Sequence, residues 1–299
     1  MVDDFNSSTV TASDGAGIIS GPLYAVTCPS SAVCVAVGQN STLTGAQILF
    51  TTSSPTAGAS WSNATIPAGI KGLYSVSCPT PSVCFAVGDG SGGGAILAST
   101  NGGSSWTTNS GGSDTLPTNL GVITSLYGIT CLSTSDCNSV GAGINGGADD
   151  GAFLYYNGTA WTTQNYSSSG GELSGITCTS SSVCIATGYG GGSSQIYTTS
   201  SATSATGGWS VSASWPGTGS YLYAVACLSS TNCYAVGWSA GSGWMQVTTN
   251  GGSSWSTRTI SDGEISWYAI VCPPISPNAC TTVGSNGLST FYPVAVYGS

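Results

Sequence analysis

The chain has 299 residues, of which 40% are hydrophobic but only 4% charged, with two basic residues, eleven acids, no histidine and a formal net charge of −9. Ordinary soluble proteins carry about 25% charged residues. With Lys71 and Arg258 as the only cations, there is nothing to cluster against a phosphate backbone or an anionic membrane surface, so nucleic-acid binding and electrostatic membrane attachment are excluded.

The chain is rich in Gly, Ser and Thr, a composition shared with disordered segments. Aromatic and β-branched residues nevertheless recur in register, which low-complexity chains lack. The clearest unit runs from Leu73 to Gly88 and reads as two short strands joined by a tight turn, with Cys78 and Cys84 flanking the turn. Variants begin at Leu23, Leu126, Leu173, Leu222 and Trp267, and the six copies use all twelve cysteines. Successive first cysteines lie between 45 residues (Cys227 to Cys272) and 53 residues (Cys78 to Cys131) apart.

Each copy can be laid out as four strands. In the first, Leu23–Cys28 is strand A, Val33–Gly38 strand B, Ala46–Thr51 strand C and Trp61–Ile66 strand D. The later B strands end in Ala86-Val87-Gly88, Ser139-Val140-Gly141, Ala186-Thr187-Gly188, Ala235-Val236-Gly237 and Thr282-Val283-Gly284. Strand C reads Ala95–Ser99, Ala152–Tyr156, Gln195–Thr199 and Met245–Thr249, and strand D opens at Trp106, Trp161, Trp209 and Trp255. A period of about 40–50 residues with four strands per repeat is the signature of a β-propeller blade. The expectation is an all-β fold: a single six-bladed β-propeller over 1–299, with four-stranded blades near 23–66, 73–110, 126–165, 173–214, 222–260 and 267–299.

The last repeat has room for strand C near Val294–Tyr297 but none for strand D. Phe5–Val10 matches Trp61–Ile66, with Phe5 in the tryptophan position. An open sheet edge is an aggregation template, so residues 5–11 are expected to complete the last blade. Within strand A the third residue is always small (Ala25, Ser75, Gly128, Gly175, Ala224, Ala269), as crowding near a propeller axis requires. The second is tyrosine at Tyr24, Tyr74, Tyr127, Tyr223 and Tyr268, with Ser174 the exception. These tyrosines read as inter-blade packing, or alternatively as an aromatic ligand ring.

Five cysteine pairs are spaced C-x5-C (Cys28/Cys34, Cys78/Cys84, Cys131/Cys137, Cys178/Cys184, Cys227/Cys233), and Cys272/Cys280 has two more residues between. Facing residues of an antiparallel hairpin lie about 4.5–5.5 Å apart, within disulfide reach. One hairpin disulfide per blade is therefore expected. Zinc and redox chemistry are the rivals, but the C-x2-C clusters, histidines and C-x-x-C motif that they use are lacking. Paired cysteines point to an oxidising compartment, extracellular or cell-surface. Met1–Phe5 has neither a basic n-region nor an apolar h-region, so the expectation is a mature portion of an exported protein, with Met1 added as a start.

Ser99–Trp106 (Ser-Thr-Asn-Gly-Gly-Ser-Ser-Trp) and Thr248–Trp255 (Thr-Thr-Asn-Gly-Gly-Ser-Ser-Trp) resemble the Asp-box, S-x-D-x-G-x-x-W, with Asn101 and Asn250 in the aspartate position. The chain as a whole resembles the Asp-box (BNR) propellers, which include sialidases, sortilin-type receptors and photosystem II assembly-factor-like proteins. Elsewhere the box is eroded, as in Tyr156–Trp161. The resemblance implies a propeller in which the box is a structural C–D turn. The family's sialidases use three arginines on the substrate carboxylate, and with one arginine here that activity is excluded.

Most acids fall in B–C or D–A loops on this layout, together with Tyr166, Tyr189, Trp215 and Trp238. Loops carry a protein's few charges in any case. A recognition face is the functional alternative, with Asp89, Asp149, Asp150, Glu172, Trp238, Asp262 and Glu264 as its candidate ligand residues. Asp149-Asp150 and Asp262-Gly263-Glu264 are candidate calcium ligands but lack EF-hand spacing, and no cofactor is expected. No catalytic residues are assigned, because no histidine, free thiol or selected carboxylate pair is available. Sequons at Asn6, Asn40, Asn63, Asn157 and Asn165 suit a secreted surface protein. The expected role is a non-enzymatic adhesin, surface-layer or extracellular assembly component, with a glycan or another surface protein as partner and self-assembly open. A glycan-binding lectin is the alternative, and a glycoside hydrolase or lyase ranks below it.

Overall fold

A computed structural model describes residues 21–53, 61–109, 116, 121–146, 148–167, 171–216, 219–259, 266–272, 279–285 and 291–297. Their regular structure is entirely β, arranged as six antiparallel sheets. The first holds β1 (Leu23–Thr27), β2 (Cys34–Gln39), β3 (Ala46–Thr51) and β4 (Ser62–Asn63). The second holds β5 (Ile70–Ser77), β6 (Cys84–Gly90), β7 (Gly93–Ser99) and β8 (Thr107–Thr108). The third holds β9 (Val122–Ser133), β10 (Asp136–Asn145), β11 (Ala148–Tyr156) and β12 (Trp161–Tyr166). The fourth comprises β13 (Glu172–Cys178), β14 (Cys184–Gly190), β15 (Ser193–Thr199) and β16 (Ser210–Pro216), and the fifth β17 (Ser220–Cys227), β18 (Cys233–Ser239), β19 (Ser242–Thr248) and β20 (Ser256–Thr259). In the sixth, β21 (Ser266–Val271), β22 (Ala279–Ser285) and β23 (Phe291–Tyr297) make three strands. The expected fourth strand from residues 5–11 lies outside the described residues.

All strands pair in sequence order, as a meander. Several run further than expected: β11 starts at Ala148 rather than Ala152, and β9 spans twelve residues. Short hairpins account for much of this. Gly90 pairs with Gly93, and Gly190 with Ser193, so that only two residues turn each of these hairpins. Gly191 and Gly192 both sit at positive φ, the backbone that two-residue hairpins demand. Two of the D strands, β4 and β8, are shorter than expected, with only two residues each.

Six disulfides staple the first hairpin of every sheet: Cys28–Cys34, Cys78–Cys84, Cys131–Cys137, Cys178–Cys184, Cys227–Cys233 and Cys272–Cys280. Cys178/Cys184 and Cys227/Cys233 are direct register partners.

The glycine that closes strand B of each repeat has a steric origin. The register of five A–B pairs slips at the second residue of strand A, leaving Tyr24, Tyr74, Ser174, Tyr223 and Tyr268 as bulged residues. A bulge disrupts the ladder and bends the strand locally, and here it brings the backbone of strand A close to strand B. A Cβ on Gly88 would stand 2.0 Å from the Gly72 carbonyl oxygen, and one on Gly237 1.8 Å from that of Tyr221. The glycine that ends strand B at Gly38, Gly88, Gly188, Gly237 and Gly284 is therefore imposed by the bulge in strand A, whichever side chain occupies it.

Contacts divide the chain into two compact units, Met1–Ser139 with Tyr156–Thr162, and Val140–Tyr155 with Thr163–Ser299, the division passing through the third sheet. In the first unit Val35, Val37, Ile48, Leu73, Val76, Leu97 and Trp106 form one buried cluster between the first two sheets. In the second, Phe153 stacks on Trp209 at 4.5 Å and meets Tyr197 edge-on, while Ile185, Ile196, Leu222, Val225 and Trp244 form the next layer. Strands apolar on both faces follow from this sheet-on-sheet packing. Each fully buried leucine contributes about 2 kcal/mol.

The small third residue of strand A also has its reason here. A Cβ on Gly175 would lie 2.9 Å from the Ala224 Cα and 3.0 Å from the Tyr223 carbonyl oxygen, so neighbouring A strands touch backbone to backbone. Ser75 uses the same proximity to accept from the Ile129 amide at 3.3 Å. Ser174, standing where tyrosine stands elsewhere, donates to the Leu222 carbonyl at 2.7 Å.

Candidate functional site

The bulged tyrosines take part in two aromatic strips, one in each unit. In the first unit the Tyr24, Tyr74 and Tyr127 rings follow one another at 5.5 Å. Tyr24 donates to Gln39 Oε1 and Tyr74 to Asp89 Oδ2, both at 2.8 Å. Burial, then the hydrogen bond and charge of Asp89, hold the Tyr74 phenol well above the usual tyrosine range. Asp89 is thus spent on fixing a ring, not presented freely in a loop. It lies inside β6, because the hairpin that follows is short.

In the second unit Tyr189 stacks on Tyr221 at 4.7 Å, Tyr221 lies parallel to Tyr223 at 6.2 Å, and Tyr223 meets Tyr268 at 5.3 Å. Two cross-strand pairs flank this strip. Glu172 opposes Tyr189 between β13 and β14, and Tyr221 opposes Trp238 between β17 and β18. Directly opposed residues of an antiparallel pair project on the same face. Gly219, at φ 90°, turns the chain beside the Trp238 ring. Glu172 and Tyr268 are exposed, while Tyr189, Tyr221, Tyr223 and Trp238 are part-exposed. Burial raises the Tyr223 phenol, with Tyr268, Tyr221 and then Glu172 adding to the shift.

Asp149 and Asp150 do not form the expected loop pair. Both lie in β11, where successive side chains point to opposite faces: Asp149 is exposed and Asp150 only 8% exposed. Asp150 acts on Tyr166, whose phenol is raised by burial first and by the Asp150 charge second. Among the described residues no three acids converge as a metal site would require. Trp215 is partly buried, meeting Trp244 edge-on at 5.2 Å and packing against the core. Asp262 and Glu264 lie outside the described residues. Sequence reasoning missed Tyr221, because its partners Tyr189 and Trp238 come from different strands; its place two residues before the repeated tyrosine was the available signal.

The C–D turns at Ser99–Trp106 and Thr248–Trp255 are built alike. Ser99 donates to Asn101 Oδ1 at 2.9 Å and accepts from the Gly103 amide at 3.0 Å, and Asn101 Nδ2 donates to Ser105 Oγ at 2.7 Å. Thr248, Asn250, Gly252 and Ser254 repeat this at 2.9, 3.0 and 2.8 Å. Trp106 caps the first turn by donating to the Gly103 carbonyl at 2.8 Å.

This architecture is that of a β-propeller. No family model matches the chain, and no curated protein does. Solved structures do. A GH74 xyloglucanase from Xanthomonas campestris superposes with a TM-score of 0.63 at 13% identity, over 91% of this chain and 45% of that one. YCF48 from Cyanidioschyzon merolae gives 0.55 at 15%, over 86% of this chain and 78% of that one. Sqt1 from Chaetomium thermophilum, bound to the N-terminus of a ribosomal protein, gives 0.55 at 12%, over 87% and 68%. The chain spans less than half the length of the GH74 enzyme. At these identities the likeness concerns the fold.

Proposed function

We propose that this chain is a secreted or cell-surface, non-enzymatic interaction module on a six-bladed propeller of the Asp-box type. The observation that carries the reading is the aromatic strip of the second unit, part-exposed and flanked by one carboxylate. Open aromatic surface with a polar tip on each ring suits recognition. Catalysis has little to draw on, with no histidine and two basic residues in the whole chain. The two similarly built turns at Ser99 and Thr248 support the Asp-box assignment. Six disulfides are consistent with an extracellular protein, and no helix among the described residues is long and apolar enough to cross a membrane.

The Sqt1 propeller holds a polypeptide terminus, which favours a polypeptide as partner. A lectin is the second reading, supported by the stacked Tyr189 and Tyr221 rings as a platform for a sugar face. Incubation with xyloglucan and other β-glucans, followed by reducing-sugar assay, tests the non-enzymatic assignment. No release is expected, and sustained turnover overturns it.

A further inference from the structure

We infer that the strip Tyr189–Tyr221–Tyr223–Tyr268, with Glu172 and Trp238, is a docking site for a basic polypeptide segment, its rings and carboxylate receiving lysine or arginine side chains. The inference rests on the interaction-module reading and names the partner's chemistry.

Three observations select this occupant. First, the strip sets four tyrosine rings, stacked or tilted on one another and ending at the exposed Tyr268, beside one carboxylate. Ring faces are negative, and they attract ammonium and guanidinium groups within about 6 Å. Glu172 lies close enough to act on the Tyr223 phenol, so both negative elements bear on the same space. Secondly, the described part of the strip sets a single carboxylate, Glu172, among aromatic rings. One carboxylate amid aromatic rings suits a large organic cation that is easily dehydrated. Thirdly, the charge balance is one-sided. The described residues of this unit hold one cation, Arg258 on β20, and the whole chain carries a net −9. An anionic partner meets repulsion, a neutral sugar gains nothing from the field, and a basic segment is attracted. Three successive ring contacts make the strip long enough for more than one side chain, which a polypeptide supplies and a free amine does not.

The test uses the whole disulfide-bonded chain and a fluorescein-labelled arginine–glycine repeat peptide, with a glutamate–glycine peptide as control, in fluorescence anisotropy at low and at physiological salt. The arginine peptide is expected to bind and the glutamate peptide to fail, with weakening as salt rises. Glu172→Gln and Tyr268→Leu are both surface changes that leave the fold intact, checked by unchanged melting temperature. Each is expected to weaken binding about fivefold, the leucine because it keeps apolar area but removes the ring quadrupole. Equal binding of the two peptides, or unchanged affinity in both variants, overturns the assignment. So does binding of cellohexaose, lost in the same variants, without binding of the arginine peptide. That last outcome leaves the interaction-module reading standing as a lectin, whereas sugar release from a glucan removes the module reading itself.

Discussion

The Tyr74 hydroxyl donates a 2.8 Å hydrogen bond to Asp89 Oδ2, tying the bulge in β5 to the end of β6. Folding therefore favours the protonated phenol, through burial first and Asp89 second. A group whose pKa is raised on folding contributes stability that is full below its unfolded value, about 10 for tyrosine, and is lost as pH rises toward the folded value. Stability is expected to fall above about pH 10. Asp89→Asn removes the charge and lowers the folded value, making that alkaline decline shallower. Thermal melts between neutral and strongly alkaline pH check this; identical slopes for the two proteins count against the linkage.

Asp136 at the start of β10 gives the opposite of ordinary acid denaturation. Its carboxyl is raised by burial, and its Oδ1 has no hydrogen-bond partner among the described residues. The raised value means that stability is greatest below the unfolded carboxyl range and declines as pH rises through the folded one. Asp136→Asn is expected to raise the melting temperature at pH 7 and leave it unchanged near pH 3. A variant less stable than the parent at pH 7 contradicts the reading.

The two well-formed C–D turns are charge-neutral. Asn101 uses both ends of its amide, Oδ1 accepting from the Ser105 amide at 3.1 Å and Nδ2 donating to Ser105 Oγ. Asn101→Asp keeps the acceptor, and Ser105 can rotate to donate to it. A carboxylate held by amide and hydroxyl donors has a depressed pKa, so its stabilisation is present at neutral pH and lost as pH falls through the folded value. The variant is expected to match the parent at pH 7 and to melt at lower temperature near pH 2. Parallel pH profiles refute this role for the amide.

Gly88→Ala tests the bulge. The new Cβ meets the Gly72 carbonyl oxygen at 2.0 Å, a clash with backbone that only strand separation relieves. A loss of about 1–3 kcal/mol is expected in urea unfolding, and more if the tyrosine bulge is expelled. An unaffected midpoint means that the bulge is dispensable.

The repeat, its strands and its disulfides were legible because each depends on neighbours in sequence. A C-x5-C hairpin places its own cysteines opposite one another, and Asn-Gly-Gly turns itself. The strand limits were less legible: two-residue turns such as Gly191-Gly192 carried the strands into the supposed loops, and alternation along β11 then separated Asp149 from Asp150. Only tertiary structure decided that Tyr189 lies on Tyr221 and that Glu172 borders the same strip. Register within a sheet assigns a side chain to a face. Which ring of the next sheet it meets depends on how closely two sheets approach, and here that distance is set by backbone contact at small residues such as Gly175.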